Sequence, residues 1–313
     1  MVTPHAPLRR ILLLVGLCAL AACSGEAESQ HQHDRNVGPI LASTWPLTTL
    51  ARELLGPESA VECLLAPGQD PAHWTPSPTD LEGLTRARAV LVNGAGLETW
   101  LMTANLAPTR LVRVSKGFAG SWIEHKGQLQ HSHGARGAHD HVGFDPHVWM
   151  DPLLALEQAR ALQEQALLRG WVTAETVQPK AAALEVRLRE LDGLWAQLAE
   201  ALQGRTLLAN HDAYAYPARR HGIAIQVFDA DPEKSLDATR LQELAAAQQT
   251  SGANIMLFEA SPDARLAHQL KVDLGLTPFV LSPAEAPSDL DFIDSMGREL
   301  KALIAQLPNS LAK

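Results

Sequence analysis

From Pro39 onward, short apolar runs alternate with stretches of helical periodicity. Residues 40–43, 61–65, 89–93 and 111–114 are too short for helices and predict four strands. Between them, 46–55, 78–87 and 97–105 predict helices; Pro46 and Pro78 sit near the helix starts, and Ser77 or Thr79 supplies a cap. Residues 117–144 break the rhythm, being rich in Gly and His, and predict a long functional or disordered loop. A helix resumes over 152–169. The longest pattern spans 174–202, where Leu184, Leu188, Leu191, Leu194 or Trp195, Leu198 and Leu202 recur at steps of three and four. Pro179 marks its first turn or a kink, and Gly204 ends it. About 25 helical residues rising 1.5 Å each span close to 40 Å, the size of a domain. The grammar then repeats, with strands at 206–209, 223–228, 255–259 and 278–281 and helices at 236–250, 263–274 and 289–307.

Alternation at this spacing predicts an α/β fold with two doubly wound parallel-sheet lobes joined by one long α-helix. The first lobe is placed at 38–172, the linking helix at 173–204 and the second lobe at 205–313. A chain of 313 residues is long enough to bury a core in each. A single bridging helix is expected to limit lobe movement.

The first 22 residues read as an export signal. Arg9 and Arg10 precede the apolar run 11–22, which is too short to span a bilayer. It ends in Leu20-Ala21-Ala22-Cys23, which resembles a bacterial lipobox, so Cys23 is expected to carry lipid and hold the chain to a membrane, at the periplasmic side or the cell surface. The polar stretch 23–37, with His31 and His33, reads as a tether. Cys18 goes with the leader, so only Cys63 is left; no intramolecular disulfide or thiolate metal site is possible, and a buried structural thiol is expected. The net charge of -9 argues against nucleic-acid binding.

Thirteen histidines stand against two tyrosines and six phenylalanines, and this excess points to metal. Loops that leave the carboxyl ends of parallel strands form ligand sites. His73 follows the second predicted strand, His147 precedes the 152–169 helix, and His211 follows the strand at 206–209. Any one of them alone reads equally well as a packing or capping residue. Three such residues, two on one lobe and one on the other, suggest a site in the cleft. Imidazole suits tetrahedral Zn²⁺, whereas manganese and calcium prefer oxygen. Glu285, Glu259 or water remains open as a fourth ligand, and Glu259 could instead orient an imidazole. His125, His131, His133, His139 and His141 read as loose zinc collectors or as a solvated insertion.

The motifs Asp70-Pro71-Ala72-His73-Trp74-Thr75-Pro76, Asn93-Gly94-Ala95-Gly96-Leu97-Glu98, Asp145-Pro146-His147-Val148-Trp149-Met150-Asp151-Pro152 and Asn210-His211-Asp212-Ala213-Tyr214 stand in one order. In that order the chain from about Pro39 resembles the zinc-uptake type of the metal-specific (zinc/manganese) ABC-transporter solute-binding proteins. The resemblance implies metal between two lobes, ligand roles for His73, His147 and His211, and delivery to a membrane permease by a monomer that is not an enzyme. Manganese members usually carry a carboxylate at the third position, so His211 favours zinc. Relatives often place an Asp where this chain has Ser282; some use a Glu three residues on, here Glu285. The rivals are manganese transport on the same fold, a metal-dependent cell-adhesion protein, and a zinc hydrolase, for which HExxH and GxSxG signals are missing. Zinc affinity is expected to fall below about pH 6.5, where imidazoles protonate.

Overall fold

The computed structural model describes Met1 and residues 38–307, except 125–129, 133–137 and 141–142. The leader, Cys23, the tether, and the loop residues His125, His133 and His141 lie outside the described residues.

In chain order the elements are β1 (Ile40–Ala42), α1 (Trp45–Leu55), β2 (Val61–Cys63), α2 (Pro78–Arg86), β3 (Ala89–Val92), the short α3 (Leu101–Ala104) and β4 (Leu111–Arg113). Next come β5 (Gln130–Ser132), β6 (Ala138–Asp140), α4 (Pro152–Leu168) and α5 (Ala174–Leu202). The second lobe holds β7 (Leu207–Ala209), α6 (Ala215–His221), β8 (Ile225–Val227), α7 (Ala238–Ser251), β9 (Ile255–Phe258), α8 (Ala264–Asp273), β10 (Thr277–Val280) and α9 (Phe292–Gln306). Two four-stranded parallel sheets result, ordered β2-β1-β3-β4 and β10-β9-β7-β8, with a separate antiparallel pair β5-β6. Counted from its own first strand, each large sheet runs 2-1-3-4. In this order the chain switches direction between the first and third strands, and the crevice there receives the loops.

Strands buried on both faces read as continuous apolar runs. In β3, Ala89 and Leu91 face the central core, while Val90 and Val92 face an outer cluster with Trp74, Leu84 and Trp100. In β9, Ile255 and Leu257 turn inward, while Met256 and Phe258 pack outward with Leu266 and Leu270. The central core is shared by both lobes because α5 runs through it, burying Val177, Leu184, Leu188, Leu191, Trp195, Leu198 and Leu202. That stripe repeats at helical spacing. α5 lies against α1 and α4 of the first lobe and against α6 and α9 of the second. Pro179 is accommodated in its second turn without ending it, at the loss of one backbone donor.

Side chains also stitch the lobes together. Arg187 of α5 donates to Glu53 at 3.0 Å on one side and to Asp291 and Asp294 at 2.8 Å on the other. Trp149 Nε1 donates to Pro283 O at 2.8 Å, Trp45 Nε1 to Leu290 O at 3.0 Å, and Arg220 Nε contacts both Asp151 oxygens at 2.7 and 2.8 Å.

Three expectations differ from the structure. The helix predicted over 97–105 is reduced to α3, because Gly94, Ala95 and Gly96 all have positive φ and the chain turns through them before a helix can start. α6 has no counterpart in the sequence reading; it is only seven residues long, lacks a side-chain cap and contains Pro217. The 117–144 stretch contains a 3₁₀ turn over Lys116–Ser121 and the pair β5-β6, where a loop was expected. Cys63 is partly buried, and burial pushes its thiol above the ordinary value.

Leu188 is fully buried in the shared core, so Leu188→Ala should cost about 2–5 kcal/mol. Urea unfolding followed by tryptophan fluorescence should give one transition at a lower midpoint; two separated transitions would contradict a core common to both lobes.

Candidate metal centre

His147 is placed by the turn between the end of the Gly/His-rich stretch and α4. Asp145, fully buried, turns its Oδ1 back onto the His147 backbone N–H at 2.9 Å and onto its ring Nδ1 at 2.8 Å. The ring is 3% exposed. With Nδ1 donating to a carboxylate, Nε2 is the nitrogen that faces the cleft. It lies 3.1 Å from Glu285 Oε1 and 3.4 Å from His211 Nε2.

His211 leaves the carboxyl end of β7, next to β9, at the switch point of the second sheet. Its neighbour Asn210 locks that corner: Oδ1 accepts from Glu259 N at 3.2 Å, and Nδ2 donates to Ala230 O at 3.2 Å. The His147 and His211 rings stand nearly perpendicular, at 83°, with centroids 5.0 Å apart.

Glu285 comes from the loop after β10. Its backbone carbonyl accepts from the Trp45 N–H of the first lobe at 2.8 Å, which carries its carboxylate to His147. Ser282 shapes this loop: its hydroxyl accepts from Ala284 N at 3.1 Å. His73 follows a tight turn in which Asp70 Oδ1 accepts from Ala72 N at 2.8 Å, and its Nε2 lies 3.9 Å from Asp70 Oδ2. Asp70, Glu259 and Glu285 line one cavity of about 530 Å³.

The structure thus brings His147 into contact with both His211 and Glu285, and His73 lies near Asp70. Tetrahedral zinc with bonds of 2.0–2.1 Å has edges of roughly 3.3 Å. The two contacts of His147 Nε2 are close to that length. Among the described residues no group of three or more His, Cys, Asp or Glu side chains is placed to hold a metal ion. The sequence reading missed the roles of Asp145 and Asp70; an acid two or three residues before each His was the available signal.

Burial alone would lower the His147 pKa, but the hydrogen bonds to Asp145 and Glu285, and their charges, push it up to about 10. Burial raises the Glu285 carboxyl, against the pull of His147, and the charges of Asp70 and Glu259 add to the rise. The carboxyl groups near both ring nitrogens therefore favour the protonated form of His147. A folded pKa above the unfolded value of about 6.5 stabilises the fold fully below that pH, and the contribution is lost as pH rises through about 10. Urea midpoints of metal-free protein at pH 6, 8 and 10 should decline accordingly, and His147→Gln should flatten the decline; equal slopes in both proteins would refute the assignment.

The family model described as zinc-uptake complex component A, periplasmic, matches residues 40–306. The zinc-binding lipoprotein AdcA of Streptococcus pneumoniae is 26% identical over 305 residues, covering 93% of this chain and 60% of that protein. This chain therefore spans less than two thirds of that relative's length. The high-affinity zinc uptake system protein ZnuA of Bacillus subtilis is 24% identical over 305 residues, with 93% of each chain covered. The crystal structure of the metal-dependent lipoprotein YcdH of Bacillus subtilis superposes with a TM-score of 0.73 at 22% identity, covering 86% of this chain and 99% of that one. A match over 40–306, two parallel sheets with a long helix between them, and imidazoles meeting at the cleft agree on one assignment: the chain belongs to the ZnuA family of zinc-uptake components.

Proposed function

We propose that this protein captures Zn²⁺ outside the cytoplasm and delivers it to the membrane permease of an ABC importer. The observation that carries this reading is the approach of His147 Nε2 and His211 Nε2 to 3.4 Å, with Glu285 Oε1 at 3.1 Å from the former. Two imidazoles and a carboxylate from far-apart stretches of chain form a borderline donor set that suits zinc better than manganese. His73 completes the set, and Glu259 shapes the field around Glu285 from the same cavity. Zinc is cargo here, bound and released unchanged, so the protein is not an enzyme. The relatives' names as zinc-binding and zinc-uptake proteins support this cargo.

The leader and Cys23 support a lipid anchor on the periplasmic or outer surface of a membrane. No helix among the described residues is long and apolar enough to cross a membrane. The side-chain bonds across the lobe interface, with α5 between them, support local loop shifts over lobe swinging as the route of release.

Zinc must displace the proton of His147. Because that proton is held well above pH 6.5, affinity should keep rising toward pH 10, about tenfold per pH unit for one proton released. The pH window anticipated for an unperturbed imidazole is widened accordingly. Competition titrations with a chromophoric chelator should give one tight zinc ion per chain, with Zn²⁺ preferred to Mn²⁺. His211→Ala should weaken it on the order of a hundredfold or more, beyond the usual effect of an outer-shell change, while deletion of residues 125–141 should leave it in place. A point mutant as tight as the wild type, or a deletion that abolishes the tight site, would overturn the reading.

A further inference from the structure

Glu98 is a buried carboxylate, 8% exposed, to which the metal centre as described assigns no task. A buried charge is costly unless its oxygens are hydrogen-bonded. Here Oε1 accepts the Ser43 hydroxyl at 2.6 Å and the Asn93 N–H at 2.7 Å, and Oε2 accepts the Gly94 N–H at 3.0 Å. Ser43 follows β1 and Asn93 follows β3, so the carboxylate spans the switch point of the first sheet. Gly94 has φ of +87°, and a Cβ there would stand 2.6 Å from Ser115 Oγ, so only glycine lets the backbone pass. The Ser115 hydroxyl donates in turn to Asn93 O.

Asn93, held in this way, reaches outward. Its Nδ2 donates to Pro146 O at 2.8 Å, and its Oδ1 accepts from Gln158 of α4 at 2.8 Å. Pro146 lies between Asp145 and His147. Two further bonds reach that turn from outside it: Asp145 N donates to Ile123 O at 2.8 Å, and Tyr216 of the second lobe donates to Asp145 O at 2.7 Å. Asn93 thus ties the turn to the strand ends of the first sheet.

We propose that Glu98 and Asn93 are positioning residues for the metal ligand His147: the carboxylate fixes Asn93, and the Asn93 amide fixes the 145–147 turn at the depth where Nε2 meets His211 and Glu285. The proposal rests on the reading of His147 as a zinc ligand. It gives the Asn93-Gly94-Ala95-Gly96-Leu97-Glu98 motif a task that its place outside the cleft does not reveal. A site depends on the groups that hold its ligands, and removing one costs about 10- to 100-fold in metal affinity.

The test uses the full mature chain, with zinc affinity from chelator competition, the Co²⁺ visible spectrum as a report of ligand geometry, and the melting temperature of the metal-free form. Asn93→Ala should weaken zinc by about 10- to 100-fold and change the Co²⁺ spectrum, and Glu98→Gln should move both in the same direction by less. A lowered melting temperature with wild-type affinity and spectrum would make these residues purely structural and overturn the proposal. If Asn93→Ala does not fold, Ser43→Ala removes one hydroxyl from Glu98 and is read by the same two assays, where no change is again fatal. His147→Ala separates the two readings. Zinc binding at wild-type strength in that variant would sink the ligand assignment and the proposal with it, whereas its loss alongside an unaffected Asn93→Ala would sink the positioning role alone.

Discussion

An imidazole offers an ion only the nitrogen that its other nitrogen leaves free. Asp145 takes the Nδ1 of His147 at 2.8 Å, in a pocket where the carboxylate itself is fully buried. That contact holds the tilt of the ring and the direction of Nε2. The positions of His211 and Glu285 have meaning only relative to that direction, because both face the same nitrogen. It also bears on the charge of the site, because carboxyl groups near both ring nitrogens raise the pKa of His147.

Behind the ring the fold uses one device twice. Each sheet runs 2-1-3-4 and leaves a crevice between its first and third strands. In each crevice an asparagine at a strand end donates its amide to a loop carbonyl, Asn93 to Pro146 and Asn210 to Ala230. Backbone at strand ends is rigid, and asparagine passes that rigidity to loops that would otherwise wander. α5 then holds the two crevices at a fixed separation by burying its stripe in a core common to both lobes.

Much of this architecture was legible in the sequence because it depends on periodicity. The stripe from Leu184 to Leu202 gave α5 its limits, and the apolar runs of β3 and β9 announced strands covered on both faces. α3 was overestimated because periodicity carries no warning of three successive left-handed residues, and α6 was missed because seven residues around a proline have no pattern to read. In the site, His147 and His211 could be named, and Glu285 could be named as a candidate. Their meeting could not be derived from residue types alone, since 64 positions separate the first two. Nor could the partners of Asn93 and Tyr216 be foreseen, since polar residues at strand and helix ends carry no sign of what they will bond across the fold.

The backbone of Glu285 has a consequence for how far its loop can move. Its carbonyl is fastened to the Trp45 amide of the opposite lobe, and two residues earlier Pro283 O is fastened to Trp149 Nε1. The strip that bears the carboxylate is therefore riveted along its length to the lobe that bears His147. Withdrawing Glu285 from His147 means peeling that strip rivet by rivet, so the two halves work less like a jaw than like a sealed flap.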